Sequence, residues 1–113
     1  LREGTKGTIH NAIVTGFPKY GVRVSDAKTT TNMTSGELVL KNSNVFTNAS
    51  DWKDCAPFSG DATNSNSAIT LSGYIGTSTT NAADPTTLGS WFSAGTFVGA
   101  VESGNDWTAG WTK

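Results

Sequence analysis

One pattern recurs at a fixed interval and limits the folds open to this chain. Ile9-His10-Asn11-Ala12-Ile13-Val14 and Leu40-Lys41-Asn42-Ser43-Asn44-Val45 share the form aliphatic, any, Asn, small, any, Val, 31 residues apart. Another 31 residues lead to Leu71-Ser72-Gly73-Tyr74-Ile75-Gly76, where Gly takes the place of Asn. Asn and Gly both tolerate positive φ. Each copy therefore reads as a short strand, a left-handed corner and a second short strand. Repetition at such an interval points to turns of chain stacked on one another. Stacked corners would lie about 4.8 Å apart. The amides of Asn11 and Asn42, with Gly73 in the third place, would then form a structural ladder held by side-chain hydrogen bonds.

Short runs rich in β-branched residues surround these corners. Strands are expected over 8–11, 13–17, 21–26, 37–41, 44–47, 67–72 and 96–101. Val22 and Val24 alternate with Arg23 and Ser25, an inward/outward pattern. Ser, Thr and Asn supply 39 of the 113 residues and Gly another 13. That mixture is poor in helix formers and suits strands and turns. Residues 28–35 and 49–66 read as polar loops. Trp52, Cys55 and Phe58 should fold the second of these back onto the core. Asp84-Pro85 starts a short helix expected over 85–93, with Asp as N-cap and Pro in the first turn. The chain divides into coils over 1–83 and a terminal helix and cap over 84–113, all within one domain.

These residues resemble a right-handed parallel β-helix, and in particular its C-terminal end. The corner Asn resembles the asparagine ladder of the pectate-lyase-like superfamily. The ending Trp91-Phe92, Phe97-Val98-Gly99-Ala100-Val101 and Asn105-Asp106-Trp107-Thr108-Ala109-Gly110-Trp111-Thr112 is similar to the terminal segment of a group of secreted bacterial β-helix proteins. The resemblance implies an all-β fold, a short right-handed parallel β-helix of about three coils closed by a short helix and an aromatic C-terminal cap. Such proteins carry many more coils, so the chain reads as the C-terminal part of a longer one. The implied setting is extracellular or on the cell surface; low charge and abundant Ser, Thr, Asn and Gly agree with it. The group brings no settled activity.

Composition narrows the function classes. The net charge of -1 argues against a nucleic-acid surface or a polybasic membrane patch. No apolar run approaches the roughly 20 residues of a transmembrane helix. Cys55 is the single cysteine, so no internal disulfide or Cys-cluster zinc site can form. No metal site or cofactor is expected. No two carboxylates share the 31-residue offset, so none should stack as a catalytic pair. Asp51 and Asp54 flank Lys53, which is expected to pair with one of them. Arg23 and Asp26 read as a solvated pair, and His10 as an outward-facing side chain.

The aromatic residues carry the most information about function. Exposed Trp and Tyr rings stack on the apolar faces of sugars, and Tyr20, Trp52 and Tyr74 are the ligand-binding candidates. Trp91, Trp107 and Trp111 fall where the last coil needs a cover, and are assigned to the cap. The sequence thus points to a non-enzymatic structural or adhesive module that binds polysaccharide. The alternative is the C-terminal remnant of a polysaccharide lyase or glycoside hydrolase. The N-terminal coil end lacks an evident cap and is expected to pair with a second copy, giving a homo-oligomer.

Overall fold

A computed structural model describes residues 1–73, 75–76 (backbone alone), 78–102 and 104–111. Strands β1 (Gly7–His10), β2 (Ile13–Thr15) and β3 (Val22–Arg23) form a first row. Helix α1 (Ala27–Thr34) leads to a second row of β4 (Leu38–Lys41), β5 (Asn44–Phe46) and β6 (Trp52–Lys53). The short helix α2 (Ala56–Ser59) follows, then β7 (Leu71–Ser72), β8 (Ile75–Gly76) and a 3-10 turn at Pro85–Thr87.

The rows pair in parallel, strand by strand. Ile9 faces Leu40, Val14 faces Val45 and Val22 faces Trp52. Asn11 and Asn42 turn the two corners with φ of 56° and 54°. Inward side chains of both rows meet α1 and α2 in one core, made by Val22, Val24, Met33, Leu38, Leu40, Val45, Cys55 and Phe58. Residues 63–65 run along the far edge of the second row. Ser65 N donates to Ser43 O and Val45 N to Ser65 O, both at 2.9 Å.

The expected all-β, three-coil right-handed parallel β-helix is not what forms. The described residues contain two α-helices, and parallel pairing is limited to three separate two-stranded sheets and one further bridge, Asn44 with Ser65. The third copy of the repeat departs most. Instead of a parallel coil, β7 and β8 form an antiparallel hairpin, pairing Ser72 with Ile75 across Gly73 at φ 64°. A left-handed glycine between two short runs is a hairpin-turn signal, and it wins over the weak third copy. Gly73 consequently does not extend the corner ladder. No strand forms over 96–101, and the expected helix over 85–93 shrinks to the Pro85–Thr87 turn capped by Asp84 Oδ1 on Thr86 N at 3.0 Å.

Helix α1 replaces an expected loop. Its threonines are poor helix formers, but Asp26 accepts from the Thr29 backbone and hydroxyl at 2.8 and 2.9 Å, a strong N-cap. This hydrogen bonding, led by the Thr29 backbone N–H, holds the Asp26 carboxyl below its ordinary range. Thr30, Thr31 and Thr34 return their hydroxyls to carbonyls four residues earlier. Thr29, Asn32 and Met33 bury one face.

The N-terminal residues are also more engaged than expected. The Leu1 ammonium donates to Arg23 O and Leu1 O accepts from Ser25 N. Gly4 and Thr5 carbonyls accept from the buried Asn32 amide. Residues 1–5 thus line the β3 edge and α1. Among the described residues, no second strand pairs with the outer edges of β1 and β2.

Candidate ligand-binding surface

The corner asparagines hold a crossing segment rather than each other. Asn42 Nδ2 donates to Asn81 O at 2.8 Å. Asn11 Nδ2 donates to Ala83 O at 2.7 Å, and Asn11 Oδ1 accepts from Ala83 N at 2.9 Å. Gly99 N closes on Asn11 O at 2.7 Å. Among the described residues, no hydrogen bond joins the Asn11 and Asn42 side chains. A ladder needs free amides, and here the 81–83 backbone and, for Asn42 Oδ1, His10 Nδ1 at 2.9 Å take them up. The segment 81–99 is thereby laid across the β1–β2 corner.

Between that segment and β1 lies a groove of about 420 Å³. Thr8, Ile9 and His10 form one side, and Leu88, Phe92 and Phe97 the other. None of its lining side chains belongs to Asp, Glu, Lys or Arg. Trp91 stacks on Phe92 with ring centroids 3.9 Å apart. Trp91 is 80% exposed, Trp111 82% and Trp107 60%. These three were expected to be a buried cap and are instead the most open rings among the described residues. A cap covers an end of stacked coils, and the antiparallel β7–β8 pair supplies no third coil for these rings to cover. Trp107 Nε1 donates to Ala100 O at 2.8 Å, which fixes its ring without burying it.

The sequence candidates for ligand stacking are committed elsewhere. Tyr20 is half-buried, with Arg23 and Lys19 over its ring at 5.4 and 5.7 Å from the centroid. Trp52 is half-buried against the core, and its Nε1 donates to Asn66 Oδ1 at 2.6 Å. Tyr74 lies outside the described residues. Trp91, Trp107 and Trp111 are thus exposed where a buried cap is expected, while Tyr20 and Trp52 are half-buried. Their sequence contexts carry no signal for this, because exposure depends on the distant segment that covers each ring.

Titratable groups serve structure. Asp51 accepts from Asn48 at 3.0 Å and 2.9 Å, while Lys53 pairs with Asp54 at 3.3 Å. Arg23 reaches Asp54 at 3.9 Å rather than Asp26, which caps α1. The Thr63 hydroxyl and backbone hold the Asp61 carboxyl below its usual range. Burial pushes the Cys55 thiol up, which keeps it protonated and unreactive. Among the described residues, no three His, Cys, Asp or Glu side chains gather as a metal site. None of their helices is long and apolar enough to cross a membrane.

No family model, curated protein or solved structure matches this chain.

Proposed function

We propose that this chain is a non-catalytic extracellular or cell-surface module that binds carbohydrate through its exposed aromatic rings. One observation carries the reading: Trp91, 80% exposed and stacked on Phe92, stands beside a groove that lacks Asp, Glu, Lys and Arg and is lined by further aromatic and aliphatic groups. Pyranose rings present apolar C–H faces that stack on such rings. Trp91→Ala is expected to weaken oligosaccharide binding about tenfold, roughly 1.4 kcal/mol, with the thermal midpoint unchanged. Calorimetry against a glycan panel, beside a turnover assay on the bound glycans, measures both. Undiminished binding by Trp91→Ala and Trp111→Ala, or cleavage of a glycosidic bond, would overturn the proposal.

The module also self-associates through the first row. Among the described residues no strand pairs with the outer edges of β1 and β2, a template for a second copy that would compete with glycan for Thr8, Ile9 and His10. A mainly apolar groove of about 250 Å³ lies between Leu1, Ile9, Ala12, Val14, Val22 and Leu40, with Arg23 also on its wall. A two-fold pairing closes both at once, because one patch serves both partners. Light scattering is expected to show a dimer forming with concentration in the micromolar range. A monomer at every concentration contradicts it.

A further inference from the structure

We infer that His10 is the polar anchor of the groove beside Trp91, presenting its Nε2 lone pair as hydrogen-bond acceptor to a hydroxyl of a neutral sugar. The inference rests on the carbohydrate reading and adds to it the charge class of the ligand and the residue that orients it.

The argument begins at Asn42. Its Nδ2 donates to Asn81 O at 2.8 Å, and a carbonyl can only accept, so the amide cannot be turned the other way. Asn42 Oδ1 therefore faces His10 Nδ1, 2.9 Å away. An amide oxygen only accepts, so Nδ1 must carry the hydrogen. In a neutral imidazole that leaves Nε2 with a bare lone pair. Among the described residues, Nε2 has no hydrogen-bond partner, and His10 lines the groove. A chain of two hydrogen bonds, ending on the backbone of the crossing segment, thus sets both the tautomer and the ring orientation.

The groove chemistry selects what this acceptor meets. Leu88, Phe92 and Phe97 offer apolar and aromatic contact, and no lining side chain is Asp, Glu, Lys or Arg. With the imidazole neutral, a uronate carboxylate would lose water there and meet the bare Nε2 lone pair rather than a cationic partner, an uncompensated cost. A neutral sugar brings what the groove lacks: an apolar ring face for the aromatic wall and hydroxyl donors for Nε2. A purely apolar ligand would leave Nε2 desolvated and unpaired.

The test uses the intact chain. At about pH 8, above the ordinary imidazole range, long-range proton–nitrogen NMR should show hydrogen on Nδ1 and a bare Nε2. Titration with neutral β-glucan and xylan oligomers should move the Nε2 resonance, whereas oligogalacturonate should not. His10→Leu should lose about tenfold in affinity for the neutral oligomers. His10→Gln should retain most of it, since its amide offers a donor toward Asn42 and an acceptor toward the groove. Trp91→Ala separates the two proposals. If Trp91→Ala weakens binding while His10→Leu binds as the parent does and Nε2 does not move, the anchor is overturned and the carbohydrate reading stands. If hydrogen resides on Nε2, or if oligogalacturonate or a fatty acid binds in place of neutral oligomers, the anchor is overturned as well. If no glycan binds, both fall.

Discussion

Replacing Phe58 by alanine is expected to lower the stability by about 3–5 kcal/mol, the range for deleting a large core ring. Phe58 is 3% exposed and is the one buried residue of α2. Four residues cannot hold a helix by themselves, because nucleation costs more than one turn returns. Phe58 attaches that turn to the core cluster containing Met33, Leu38, Leu40 and Cys55. The surrounding strands are fixed by parallel pairing and cannot collapse into the space left behind. A loss of this size is a large part of what a small domain has. Urea denaturation followed by tryptophan emission measures it, and a loss below about 1 kcal/mol would show that α2 is not held through this ring.

The second large effect is expected at Asn48, which ties the two rows. Its Oδ1 accepts from Phe17 N at 3.0 Å, while Nδ2 donates to Val14 O and Phe46 O, both at 3.1 Å. Asn48→Ala leaves those backbone groups to find water or go unpaired, at about 1–3 kcal/mol for each one kept from water. The total should reach about 2–3 kcal/mol, since the site is only half-buried. Hydrogen exchange at the Phe17 amide should accelerate, a local signature that simple loss of side-chain volume would not produce. Gly21 belongs to the same joint: a Cβ there would fall 2.6 Å from Asn48 Nδ2 and 2.8 Å from a Val45 methyl. By contrast, the Lys6–Glu37 ion pair spans the same rows in the open, and such pairs contribute little. Unchanged stability in Asn48→Ala, with Phe17 still protected, would assign the row joint to the strands alone.

The spacing of the two asparagine corners was enough to pair β1 with β4 and β2 with β5 in the register observed. The reason is local: Asn at positive φ defines a corner within a few residues, and aliphatic residues on either side must face inward. The α1 N-cap was equally local and could have been found, since Asp26 precedes a Thr-rich stretch by the capping distance. Composition points the other way: threonines are poor helix formers and the stretch reads as a polar loop, because hydroxyls returned to the backbone are not counted. The third copy failed because Gly73 serves a hairpin as readily as a corner. Which tryptophans are buried was decided only in three dimensions. Ring size sets how much burial would stabilise a residue, but whether a covering segment arrives depends on contacts far along the chain. The same holds for His10, an ordinary solvated side chain by sequence. Its tautomer follows from Asn42, 32 residues on, and from Asn81, which lies 39 residues beyond that. No local pattern encodes a hydrogen-bond chain of that span, because its links meet only after the crossing segment has closed over the corner.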